Sequence, residues 1–174
     1  VIKNAAAEPE IVDLAEFLSG MGAEIKGAGT DNIEIIGKSN LHGSMHEVMP
    51  DRIEAGTFMT ACAIAGGEII VKNVNPSHMK PVTAKLREAG ITVIEKNNSI
   101  TVISRGRGNI TPIDIRTLPY PGFPTDMQAQ MSALLTVANG TSLVTETVFE
   151  NRFQYVGELN RLGAAIKLNE RTAV

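Results

Sequence analysis

The sequence predicts an α/β (α+β) fold of repeated βαβαββ units, with helices packed on mixed sheets. Three observations predict it. Segments 14–37 (LAEFLSGMGAEIKGAGTDNIEIIG), 84–104 (AKLREAGITVIEKNNSITVIS) and 156–174 (VGELNRLGAAIKLNERTAV) each read as a helix, a glycine and a hairpin. A second pair, DRIEAGTFMTACAIAGGEIIVKNV at 51–74 and TDMQAQMSALLTVANGTSLVTETV at 125–148, each read as a helix feeding a strand. The helix-stop glycines recur at 90 − 22 = 68 and 163 − 90 = 73 residues, and Gly67 to Gly140 is again 73. A spacing of about seventy residues marks a repeated supersecondary unit.

Taken in order, VIKN begins the chain as a strand-like run. The helix that follows carries apolar residues about four apart and stops at Gly22, because glycine accepts the left-handed geometry that ends helices. Two alternating strands then turn at AGTDN, whose Gly, Asn and Asp tolerate positive φ. Pro50 in EVMPDR cannot continue a strand ladder and places a boundary there. A complete unit is expected from about His46 to Arg107, with its hairpin turning at EKNNS, and most of another unit follows, with its last turn at LNERT. The strand-like start and the abrupt end at RTAV read as those of an excised segment.

Composition narrows the function classes. A hydrophobic fraction of 43% suffices for a globular core. Sixteen basic against 19 acidic residues give a net charge of −3 without any block of like charges, so neither nucleic acid nor a membrane surface is an expected partner. The longest apolar stretch, FMTACAIAGGEIIV, is too short and broken to span a bilayer. The first residues lack a signal-peptide pattern and the single cysteine cannot form an internal disulfide, so a cytoplasmic location is expected. Cys62, among alanines, reads as a packing residue. His42, His46 and His78 read as surface residues, since no further ligand completes a metal set. GAG at 27–29 and RGRG at 105–108 do not lie between a strand and a helix as phosphate loops do, and read as hairpin ends or connections.

The most unusual stretch is RTLPYPGFPTDMQAQ, where Pro119, Pro121 and Pro124 stiffen the approach to a helix start bearing Thr125 and Asp126. Two readings stand for Asp126: a helix cap, or a rigidly presented carboxylate suited to proton abstraction. Arg52 in PDRIEAGT and Arg152 in TVFENRFQ are either anion-binding guanidinium groups or ordinary surface residues.

LPYPGFPTDMQAQ, TETVFENRF, NAAAEPEIVDLAEFL and PDRIEAGTF together closely resemble the UDP-N-acetylglucosamine 1-carboxyvinyltransferase family of enolpyruvyl transferases, over essentially every residue. The resemblance implies an inverse α/β barrel-like architecture of two domains, each of three βαβαββ units around a substrate cleft. Residues 1–48 would end the first domain, and residues 49–174 would form the larger part of the second, with one full and one partial unit. It implies that the 3-hydroxyl of UDP-N-acetylglucosamine attacks the central carbon of phosphoenolpyruvate and that phosphate leaves, as the first committed step of peptidoglycan synthesis, without a cofactor or metal.

By the same resemblance, Asp126 takes part in proton transfer at that hydroxyl and Arg152 lies by the reacting centre. Thr125, Asp126 and Val148 would contact the sugar nucleotide. A monomer is expected for the complete enzyme. The family's amino-terminal lysine and asparagine, its mobile loop with a general-acid cysteine and its later arginines have no counterpart here, so the segment alone is expected to be inactive. Two alternatives stay open. The shikimate-pathway enolpyruvyl transferase would use shikimate 3-phosphate as acceptor, and a non-catalytic repeat module binding a small ligand or partner would have no turnover.

Overall fold

One three-stranded arrangement occurs three times in the computed structural model, which describes residues 1–174. β1 (Ile2–Lys3), β2 (Glu24–Lys26) and β3 (Asn32–Ile36) lie in the order β1-β3-β2. β4 (Gly67–Lys72), β5 (Thr92–Lys96) and β6 (Ser99–Ser104) repeat it as β4-β6-β5. In the third copy β7 (Ile115–Arg116) precedes β8 (Val144–Thr145), β9 (Leu168–Asn169) and β10 (Thr172–Ala173), and the order is β7-β8-β10-β9. The β7–β8 pair is parallel and the others are antiparallel, so this last sheet is mixed.

The helix before each hairpin ends in the same way. α1 (Pro9–Gly20), α3 (Lys80–Glu88) and α5 (Tyr155–Arg161) are followed by Gly22, Gly90 and Gly163 at φ of 99°, 87° and 99°. The next amides, of Ala23, Ile91 and Ala164, donate to the carbonyls of Leu18, Leu86 and Leu159, each at 3.0 Å. These bonds satisfy carbonyls that the helix end leaves unpaired, and only glycine enters the required left-handed geometry without cost. The hairpin turns differ among themselves: positive φ occurs at Gly27 and Gly29 in the first and at Glu170 in the third. Asn97 and Asn98 close the second turn without it, contrary to expectation.

The complete unit also falls elsewhere than the sequence suggested. No strand forms at 37–50, because Pro50 lacks an amide and the Met49 amide is taken by the Asp13 carboxylate at 3.1 Å. The set of four strands and two helices is instead found in the last repeat.

The chain divides into two compact units, Val1–Pro50 with Pro119–Pro121, and Asp51–Leu118 with Gly122–Val174. In the first, Ala15 and Ile33 are the buried hydrophobic side chains; Leu14 is exposed, and Phe17, Leu18 and Met21 are half-buried. His46 is not a free surface residue: its ring lies 5.2 Å from that of Phe17 and its Nε2 lies 3.1 Å from Asp13.

The second unit holds the hydrophobic core, with Met59, Met79, Leu86, Ile100, Met127, Met131 and Leu134 fully buried. α2 (Arg52–Ala65) and α4 (Gln128–Leu135) pack against each other there. Thr60 reaches the Met131 sulfur at 3.7 Å, Gln130 donates to Thr57 at 3.0 Å, and Gly56 leaves room for Met127. The sheets lie outside these helices, with Ile70, Ile94 and Ile103 exposed on their outer surfaces, and no barrel closes. Gly106 meets the backbone of Ala65 and Gly66 so closely that a Cβ would lie 3.0 Å from the Gly66 nitrogen. RGRG is therefore a packed connection. Cys62 is buried in α2, where desolvation raises its thiol pKa. No helix is long and apolar enough to cross a membrane.

Candidate active site

β7 delivers the chain to Thr117, which bridges in parallel to Phe123, while the Leu118 amide donates to the Phe123 carbonyl at 2.9 Å. The proline-rich excursion is thereby pinched off at its base. It contains Pro119 and Pro121, with Tyr120–Pro121 cis. The Phe123 ring is buried in the core, and Pro124 directs the chain into a 3₁₀ turn, Thr125–Met127, that continues as α4. Met127 is fully buried and anchors the turn.

Neither Thr125 nor Asp126 caps the helix: no side chain accepts a capping bond at the turn or at α4. The Thr125 hydroxyl donates instead to Glu146 Oε2 at 2.7 Å. Arg152 Nη2 lies 2.5 Å from Asp126 Oδ1, and the Arg152 guanidinium carbon sits 5.0 Å from the centre of the Phe149 ring. A planar cation can form this pair with a carboxylate while resting on an aromatic face. Both partners remain partly open to solvent. Val148 is exposed on the same loop as Phe149.

The residue that sequence reasoning missed is Glu146. It follows β8 directly and points inward like Val144 two residues before it, as strand alternation dictates. Its side chain is 1% exposed, yet its carboxylate accepts five hydrogen bonds. Oε1 takes them from the Thr117 hydroxyl (2.8 Å) and the amides of Val148 (2.7 Å) and Phe149 (3.0 Å). Oε2 takes them from Thr125 and from Gln128 Nε2 (2.6 Å). Burial pushes the Glu146 pKa up, but the Phe149 amide, the Thr125 hydroxyl, the Val148 amide and the Thr117 hydroxyl more than offset it, leaving the pKa below the ordinary glutamate value. The one signal in the sequence was a glutamate in register with an apolar inward position.

The structure therefore brings together Thr125, Asp126, Val148 and Arg152, all expected at the site. Arg52, unlike the solvent-open Arg152, is buried in the first turn of α2. Asp51 caps that helix through bonds from the amides of Ile53 and Glu54. The Tyr155 hydroxyl bonds to Ser132 at 2.8 Å, and burial pushes its pKa up to about 12, so it holds its proton at neutral pH. No group of three or more His, Cys, Asp or Glu side chains is arranged to hold a metal ion. The arrangement offers a solvent-open carboxylate paired with a guanidinium, groups able to move a proton and to hold an anion.

Residues 1–174 match the family described as EPSP synthase (3-phosphoshikimate 1-carboxyvinyltransferase). The chain is 58% identical over 174 residues to UDP-N-acetylglucosamine 1-carboxyvinyltransferase 1 of Caldanaerobacter subterraneus, covering all of this chain and 41% of that protein. It is 58% identical over 173 residues to UDP-N-acetylglucosamine 1-carboxyvinyltransferase 2 of Carboxydothermus hydrogenoformans, covering 99% and 41%. The fold is similar to that of the enolpyruvyl transferase NikO from Streptomyces tendae, with a TM-score of 0.81 and 22% identity over 98% of this chain and 41% of that one. The chain thus spans about 41% of the length of these relatives.

Proposed function

The chain belongs to the EPSP synthase family of enolpyruvyl transferases, and from that membership we propose that the protein carrying it transfers the enolpyruvyl group of phosphoenolpyruvate to the 3-hydroxyl of UDP-N-acetylglucosamine. The observation that carries the site assignment is the contact of Arg152 with Asp126 on a loop stiffened by prolines. Relatives named for UDP-N-acetylglucosamine favour that acceptor over shikimate 3-phosphate.

In this reading the sugar hydroxyl adds to the central carbon of phosphoenolpyruvate while the methylene carbon takes up a proton. The tetrahedral intermediate then expels phosphate and gives that carbon-bound proton up, leaving an enolpyruvyl ether. Asp126 accepts the hydroxyl proton as the oxygen attacks. Arg152, already on that carboxylate, moves toward substrate anions as they enter, which frees the base in the presence of substrate. Thr125 and Val148 line the sugar-nucleotide side. We read residues 1–48 as the end of one domain and residues 49–174 as the larger part of a second. A cytoplasmic monomer acting at the first committed step of peptidoglycan synthesis completes the proposal.

The test is phosphate release by the intact protein carrying this chain, with phosphoenolpyruvate and either UDP-N-acetylglucosamine or shikimate 3-phosphate. Turnover with the sugar nucleotide alone is the expected result. Turnover with shikimate 3-phosphate would assign the related activity, and binding without turnover would assign a ligand-binding module.

A further inference from the structure

We propose that Glu146 is the positioning residue of this site, the buried group that sets Asp126 and Arg152 facing each other. The inference rests on the transferase reading above. Glu146 cannot meet substrate itself, because its side chain is 1% exposed and both oxygens are occupied by donors from the protein.

Its five donors come from three segments. Thr117 ends the β7 side, Thr125 and Gln128 belong to the turn and the first residue of α4, and Val148 and Phe149 belong to the loop after β8. Oε2 holds the arm that presents Asp126, since Thr125 is its immediate neighbour. Oε1 holds the arm that presents Arg152, since the Phe149 amide it binds belongs to the residue whose ring carries the guanidinium. One carboxylate thus ties both arms to each other from beneath, whereas the Arg152 and Asp126 side chains join them only at the solvent-open surface.

The donors are all neutral groups, and this explains why a carboxylate occupies the position. A neutral apolar side chain would leave five donors without this acceptor, and those of Thr117 and Gln128 are buried where water cannot replace it. A glutamine keeps one acceptor oxygen but puts an NH₂ where the carboxylate accepted from Thr125 and Gln128. The Gln128 amide must then turn over to offer its Oε1, which now has no partner, and the Thr125 hydroxyl must turn away, so the Asp126 arm loses the two bonds that fix it. Thr117 supports the carboxylate from the far side: its hydroxyl donates to Glu146 and accepts from the Thr147 amide at 2.9 Å.

The experiment compares Glu146→Gln, Thr117→Val and Thr117→Ser in the intact protein carrying this chain, with phosphoenolpyruvate and UDP-N-acetylglucosamine. The unsubstituted protein must first release phosphate; if it does not, the transferase reading itself fails and Glu146 is not the cause. Given that activity, Glu146→Gln should lower kcat about tenfold or more per folded molecule while KM for UDP-N-acetylglucosamine stays within about threefold. Thr117→Val should lower kcat in the same sense, and Thr117→Ser, which keeps the hydroxyl, should restore it. A kcat for Glu146→Gln within about twofold of the unsubstituted protein overturns the proposal, as does a rise in KM with kcat preserved. A loss explained wholly by a smaller folded fraction also overturns it. Where Glu146→Gln does not fold, the threonine pair decides: equal kcat for the valine and serine variants sinks the proposal.

Discussion

Arg152 and Asp126, 26 residues apart in sequence, meet at 2.5 Å, with the guanidinium resting on the Phe149 ring. The contact joins a loop after β8 to the turn before α4, and it gives Asp126 a partner that the helix-cap reading did not foresee.

In the intact protein, Asp126→Asn should lower turnover roughly 10²-fold while binding of UDP-N-acetylglucosamine changes little, because the amide keeps the shape and removes the basic oxygen. Steady-state kinetics beside a direct binding measurement checks this. Turnover near that of the unsubstituted protein would remove Asp126 from the reaction.

Arg152→Lys should keep the positive charge yet lose the planar group that bonds the Asp126 carboxylate while resting on the Phe149 ring. A drop in kcat/KM of about tenfold is expected, since a compact ammonium replaces a stacked planar guanidinium poorly. Thermal unfolding should stay almost unchanged because the side chain is partly exposed. Full activity in the lysine variant would reduce Arg152 to a simple counter-charge.

Gly106→Ala and Gly108→Ala separate crowding from backbone strain. Both glycines have positive φ, 74° and 84°, but only at Gly106 would a Cβ press on backbone atoms. Left-handed strain alone costs about 1–2 kcal/mol, and crowding against immovable backbone adds to it at Gly106. Denaturant unfolding should rank Gly106→Ala as the more destabilised; the reverse order would contradict the packing described between 65–66 and 106.

Acid stability should depend on Glu146. Its pKa is lowered in the folded state from an ordinary 4.5, so below that value the unfolded chain binds the proton more readily than the native one. The stability contributed is present above about pH 4.5 and is lost as pH falls through the folded value. Unfolding midpoints measured from pH 7 downward should therefore fall less steeply for Glu146→Gln than for the unsubstituted protein. Parallel slopes would show that Glu146 does not titrate differently on folding.

The sequence by itself determined what depends on neighbouring residues. Gly22, Gly90 and Gly163 each end a helix through left-handed backbone geometry, and that requirement is written at one position, so the repeat and its hairpins were legible before any coordinates. The unusual proline loop likewise marked the segment bearing Thr125 and Asp126. Local signals misplaced the complete repeat, because whether 46–50 forms a strand depends on whether its amides find a sheet partner, and the Met49 amide found Asp13 instead. Only the tertiary structure decided the role of Glu146. A glutamate at the end of a short strand reads as a solvated residue, and it becomes a buried acceptor only when Thr117, the 125–128 turn and the 148–149 amides converge on it. That convergence is set by the short-range closure of the loop at Phe123 together with the parallel pairing of β7 with β8, a contact between distant residues that no local pattern encodes.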